Sequence, residues 1–134
     1  MRTLSGIGAT AVLATAALAG CGLLGQQCDA TPLSDIAAPD GQRHAVIFEY
    51  DCGATTGSAT HVSLLDRGRR LPAGPGNTFV ADDNHGAVPA GLGGGPQVAA
   101  TWLSSDRLRL AYPCGARSST ASPEWTVSRW STPS

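Results

Sequence analysis

The chain contains no lysine, so all nine of its basic residues are arginine. Its formal net charge is −1 at pH 7 with histidine neutral. Proteins that bind nucleic acid usually carry a basic face or stripe, and this balance of charge does not indicate one. The composition therefore predicts no nucleic-acid partner.

Helical periodicity and long apolar runs are also lacking. The apolar, alanine-rich segment at residues 7–18 falls short of the roughly 20 residues that a membrane-spanning helix needs. No later segment combines a helical period with helix caps. The 134 residues suffice for one ordinary domain. These absences favour a single domain that is mainly β.

The N-terminus has the pattern of a secretory signal peptide. Met1 and Arg2 give a positive start, and the apolar segment ends in Leu-Ala-Gly-Cys at residues 18–21. These four residues resemble the lipobox of bacterial lipoproteins. The resemblance implies cleavage after Gly20 and a lipid, including palmitate-type acyl chains, on Cys21. The alternative is an ordinary secreted protein in which Cys21 merely lies near the cleavage point.

The lipobox resemblance divides the chain into three parts. Residues 1–20 form the signal peptide, residues 21–30 a lipidated tether, and residues 31–134 the β domain. Several acyl chains anchor a protein stably, whereas a single chain holds only weakly. We therefore expect an extracytoplasmic domain that is lipid-anchored to a membrane of the bacterial cell envelope and does not cross it.

Six segments of the expected domain have the alternation or composition of strands. They are residues 43–50, 60–65, 77–81, 98–102, 108–112 and 124–130. Apolar residues alternate with polar ones in the longer segments, which is typical of strands with one buried side. The other face of 43–50 is only half polar, which favours a central strand. The sequence predicts a small antiparallel sheet of five to seven strands, a meander or sandwich-like.

Two regions between these strands give weaker signals. Residues 31–38 fit an irregular strand or a single helical turn, and the pattern does not decide between them. Residues 82–97 form a long loop with five glycines and two prolines. Loops of this length are usually functional or mobile.

Residues 51–57 read Asp-Cys-Gly-Ala-Thr-Thr-Gly and follow a Pro-Asp-Gly turn at residues 39–41. Together they resemble a family of short, uncharacterised bacterial exported proteins and lipoproteins. The resemblance covers most of residues 28–112 and includes the hairpin that contains Trp102. It implies an exported domain and brings no known activity. Family members tend to have a second cysteine upstream of the turn, where Cys28 stands.

Three cysteines remain once Cys21 is lipidated, and they allow only one disulfide bond. We expect Cys28–Cys52, because this bond would pin the N-terminal arm to the sheet. Closing a loop of about 25 residues contributes roughly 3 kcal/mol in the chain-entropy model. Cys114 is then free or paired between molecules. The rival pairing is Cys52–Cys114.

The candidate functional block has two interpretations. Its residues are Asp51, Cys52, Gly53, Thr55, Thr56 and His61. In the structural interpretation, the threonine hydroxyl groups bond nearby backbone and Cys52 is a half-cystine. In the catalytic one, a small hydrolase or thiol enzyme uses Cys52, Asp51 and His61. An adjacent aspartate raises the pKa of a thiol, which favours the structural interpretation.

No cofactor or metal is expected. Residues 82–85 read Asp-Asp-Asn-His and lack the alternating spacing of a calcium loop. Tryptophans at strand positions are more often core than a ligand platform. The sequence thus favours a non-enzymatic binding or interaction module that could have an envelope protein as partner. The alternatives are the enzyme above and an inhibitor or immunity-type envelope protein.

Overall fold

The fold is described by a computed structural model that covers residues 28–53, 57–120 and, for the backbone, 127–130. Within these residues the regular structure is β, which confirms the expected fold class, and no helix is long and apolar enough to cross a membrane. Eight strands are present. They are β1 (Asp29–Ala37), β2 (Arg43–Asp51), β3 (Ala59–Asp66), β4 (Phe79–Asp82), β5 (Ala99–Ser104), β6 (Arg107–Pro113), β7 (Arg117–Thr120) and β8 (Val127–Trp130).

The strands form two sheets. Five strands make an antiparallel sheet in the order β1-β2-β3-β4-β7. The smaller sheet has the order β5-β6-β8, in which β5 and β6 form the expected antiparallel hairpin and β8 lies parallel to β6. The chain therefore leaves the larger sheet after β4, forms the hairpin, and returns as β7 to pair with β4.

One apolar cluster joins the two sheets. Its most deeply buried members are Ala45, Val62, Phe79, Ala81, Leu108 and Leu110. These residues come from β2, β3, β4 and β6, so both sheets contribute side chains to the same core. Side chains on one face of a strand recur at every second residue, which explains the spacing of Leu108 and Leu110. The core thus includes β2, β3 and β6, whose alternation was clear in the sequence, and also the short strand β4.

Strand β2 is central, as its sequence pattern predicts. It lies between β1 and β3, and four successive residues, 45–48, are buried. Ala45 and Ile47 belong to the core that joins the sheets. On the other face Phe48 lies opposite His61 of β3. Successive side chains point to opposite faces, so both faces of this strand are covered.

Two strands arise from segments with a weak strand pattern or none. β1 occupies the undecided segment 31–38 and begins at Asp29, so its first two residues fall in the expected tether. Its register shifts between Pro32 and Ser34, which interrupts the alternation. β7 lies in a serine-rich stretch, and all four of its residues are exposed. An edge strand that buries no side chain has no apolar period to detect. The eight strands of the described residues therefore exceed the five to seven that the sequence predicts.

Candidate functional site

The end of β2 is fixed by a disulfide bond between Cys28 and Cys52, with an S–S distance of 2.08 Å. Asp29 pairs with Asp51 across the strands, so the bond joins β1 to β2 one residue beyond the paired strands. This confirms the expected pairing. Cys114 is exposed and free, so the rival pairing with Cys52 does not form.

Asp51 serves the turn that follows β2. Its Oδ1 accepts a hydrogen bond from the N–H of Gly53 at 2.8 Å. Gly53 has φ of 108°, a conformation that side chains disfavour, which explains a glycine here. Thr55 and Thr56 lie outside the described residues. The described part of the block is therefore a locally bonded turn.

His61 is buried within the sheet. Its Nδ1 accepts a hydrogen bond from the N–H of Gly76 at 2.9 Å. Its ring centroid lies 5.5 Å from that of Phe48 and 4.9 Å from that of Tyr50. Burial lowers the pKa of His61 because the charged imidazolium is poorly solvated there. The ring thus acts as a neutral hydrogen-bond acceptor that holds the chain before β4.

The three residues of the catalytic interpretation are not brought together. The sulfur of Cys52 is bonded to Cys28 and is not a thiolate nucleophile. By the alternation of β2, Asp51 belongs to the face of Ile47, whereas His61 lies opposite Phe48 on the other face. The structure therefore gives each of them a structural role.

The acidic loop at residues 82–85 is also internally bonded. Asp82 Oδ1 accepts hydrogen bonds from Arg117 Nε at 2.9 Å and from the N–H of Asn84 at 2.8 Å. The bond from Arg117 lowers the pKa of Asp82. Across the described ranges, no group of three or more His, Cys, Asp or Glu is placed to hold a metal ion.

Trp102 packs against the core, as a tryptophan at a strand position is expected to do. Its indole Nε1–H donates to the carbonyl oxygen of Ile36 at 2.9 Å, which ties the smaller sheet to β1. The side chains of Trp125 and Trp130 lie outside the described residues. A platform of three tryptophans is therefore not defined by the structure.

The long loop folds back onto the larger sheet and forms a cleft of about 570 Å³. Residues that line it are Leu33, Ser34, Ile47, Thr60, Leu92 and Val98. Leu92 is fully exposed and Leu33 is 37% exposed, so the cleft carries apolar side chains open to solvent. The sequence did not predict this cleft. The glycines and unusual length of the loop were its only signal.

Glycines allow this loop to lie against the strands. A Cβ atom on Gly93 would lie 2.9 Å from Cβ of Glu49, and one on Gly95 would lie 2.8 Å from the backbone of Ala59 and Thr60. Thr60 Oγ1 donates to the carbonyl oxygen of Pro96 at 2.6 Å. The loop is therefore a packed part of the domain with an exposed tip.

The fold and the disulfide define a small, two-sheet β domain of the disulfide-bonded type. Comparison with protein-family models, with curated proteins and with solved structures found no match. Function is therefore inferred from the geometry of the chain's own residues.

The buried His61 predicts a pH-dependent stability. Its folded pKa lies below the unfolded value of about 6.5. The unfolded state therefore binds the proton more readily, and stability falls as the pH drops below that value. Urea unfolding of the wild-type protein should show a lower free energy of unfolding at pH 5 than at pH 7.5.

In His61→Gln, this loss between pH 7.5 and pH 5 should be smaller, even if the variant is less stable at both values. His85→Asn is the matched control, because His85 is exposed and its φ of 59° suits asparagine. An unchanged pH dependence in His61→Gln would show that this ring is not the group responsible.

Proposed function

We propose that the chain is the precursor of a bacterial envelope lipoprotein, anchored by lipid on Cys21, whose β domain is a non-enzymatic binding or interaction module. The Cys28–Cys52 bond carries the proposal. Disulfide bonds persist mainly in oxidising compartments such as the periplasm and the cell surface. This agrees with export by the signal peptide at residues 1–20. Membership of the exported family that the 51–57 block resembles is part of the same proposal.

The position of the disulfide suits a tethered domain. Six residues lie between Cys21 and Cys28, which makes seven Cα–Cα steps, so the tether reaches at most about 25 Å. No residue of β1 is buried, and its nine residues are either exposed or half-buried. The covalent bond holds this strand where apolar packing alone would hold it weakly. The disulfide end of the sheet is then the end nearest the membrane.

The polar groups of the candidate functional block already have bonding partners within the fold, which supports a binding role over catalysis. The sulfur of Cys52, the carboxylate of Asp51 and Nδ1 of His61 each have a partner within the fold. The cleft offers aliphatic walls and an exposed Leu92 instead. Exposed apolar side chains at a concave site favour recognition of a partner. An inhibitor or immunity-type protein would be a special case of such a module.

Replacing Cys21 with serine tests the anchor. Serine cannot form the thioether, so the variant should remain unprocessed at Gly20 and lack the lipid. After expression in a bacterium, immunoblotting of washed membranes should detect processed wild-type protein and no processed form of Cys21→Ser. The matched control is Cys114→Ser, which removes a free cysteine and should be processed normally. Processing of Cys21→Ser at the same site would contradict the proposal.

A further inference from the structure

The end of the larger sheet opposite the disulfide is rich in arginine. Arg43 starts β2, and Arg67, Arg69 and Arg70 follow β3, so four of the nine arginines lie here. We call these four residues the arginine cluster. All four are exposed, and they border two adjoining pockets of about 310 and 340 Å³ that share Arg69.

The charge of the arginine cluster is not neutralised by ion pairs. In the described part of the chain, the ion pairs within 4.0 Å are His44–Asp35 and Arg117–Asp82, and neither involves the cluster. Asp35 lines the pocket of about 310 Å³, and its carboxylate is bonded to His44 at 2.7 Å. Asp66 lines the pocket of about 340 Å³ with Arg69 and Arg70 but forms no ion pair with them within 4.0 Å. The guanidinium groups are therefore available to an external anion.

The backbone that carries these arginines is held in place. The N–H of Arg67 donates to the carbonyl oxygen of Gln42 at 2.8 Å, and the N–H of Arg69 donates to the carbonyl oxygen of Asp66 at 3.0 Å. His44 Nε2 lies 3.1 Å from the carbonyl oxygen of Arg69. Because the loop is already ordered before a ligand binds, the entropic cost of binding is smaller.

We propose that the arginine cluster binds a phosphate group. A guanidinium presents a planar fork of donors that matches phosphate oxygens and keeps its charge at any physiological pH. Arg43, Arg67 and Arg69 border one pocket of about 310 Å³, which suits an anion with more than one negative charge. This goes beyond the proposed function, because it assigns a ligand to a site separate from the apolar cleft, and it rests on that proposal only for the orientation given next.

The orientation separates two sources of phosphate. β2 runs nine residues from Arg43 to Asp51, so the cluster lies roughly 25 Å from the disulfide end. If the disulfide end faces the anchoring membrane, the cluster faces away from it. The phosphate then belongs to a soluble ester or a phosphate polymer and not to a headgroup of the anchoring membrane.

Binding measurements on the mature lipidated protein in detergent test the inference. Titration with polyphosphate should give saturable binding, and Arg69→Gln should raise the Kd about tenfold, as expected for loss of one charge-assisted bond. Arg109→Gln is the matched control, since it removes one exposed charge outside both pockets and should change Kd less than twofold.

Three outcomes would overturn the inference. Equal losses of affinity for polyphosphate in Arg69→Gln and Arg109→Gln would indicate non-specific electrostatic attraction. Binding of poly-glutamate as tight as that of polyphosphate would indicate an acidic-peptide surface. Protein in neutral vesicles that binds phosphatidylglycerol vesicles but not polyphosphate would indicate a lipid ligand. The titrations with polyphosphate and poly-glutamate do not need the lipid on Cys21, so the anchor proposal is tested separately by Cys21→Ser.

Discussion

Replacing Cys28 with serine should lower the free energy of unfolding by about 3 kcal/mol. The Cys28–Cys52 bond spans 24 residues and holds β1, an edge strand with mostly exposed side chains. In the chain-entropy model, its loss releases the unfolded chain from this constraint. For a domain of this size the Tm should fall by about 10 °C or more. Thermal unfolding followed by circular dichroism measures the change.

The same experiment has an internal check. Wild-type protein in reductant should unfold at the temperature of the Cys28→Ser variant, because both lack the bond. Cys114→Ser should unfold like wild type in the absence of reductant, since Cys114 is exposed and free. A large loss in Cys114→Ser with none in Cys28→Ser would show that the stabilising bond lies elsewhere.

Replacing Gly95 with alanine should also destabilise the domain strongly. The added Cβ would lie 2.7 Å from Thr60 Oγ1 and 2.8 Å from the backbone nitrogen of Thr60, closer than real contacts allow. The loop must then move away from β3 and strain the buried bond from Thr60 to Pro96. Overpacking of this kind costs about 1–3 kcal/mol, which chemical denaturation can measure.

Gly115→Ala provides the control for Gly95→Ala. A Cβ on Gly115 would meet Ala87 O at 3.7 Å and Val88 Cγ2 at 3.8 Å, which are ordinary contacts. Its free energy of unfolding should stay within about 0.5 kcal/mol of wild type. A Gly95→Ala variant as stable as Gly115→Ala would mean that the loop does not pack closely on β3 and that the cleft is not a fixed feature.

The predictable part of the fold is the part with buried alternation. β2 has four successive buried residues, β6 buries alternate side chains, and β5 alternates between exposed and half-buried ones, so their period was readable from the sequence. β7 buries none, and it forms because its backbone pairs with β4. β1 has a register shift that breaks its period. Pairing of backbone groups leaves no compositional trace, so such edge strands escape sequence analysis.

The same limit applies to the candidate site. The pairing of Cys28 with Cys52 could be predicted, because few cysteines were available and one arm needed fixing. The separation of Asp51 from His61 could not, since it depends on which face of the sheet each residue occupies. The convergence of Arg43 with Arg67 and Arg69 likewise required the register of β2 and β3, which places distant residues at one end.

Tryptic digestion without reduction, applied to protein from bacterial membranes, tests the anchored, disulfide-bonded domain most directly. The chain has no lysine, so trypsin cleaves only after arginine. We expect one species in which residues 21–43 carry acyl chains on Cys21 and are joined to residues 44–67 through Cys28–Cys52. Mass spectrometry identifies the species. Detection of an unmodified N-terminus at Met1, or of residues 44–67 joined to the peptide that contains Cys114, would contradict the account of an anchored, disulfide-bonded domain.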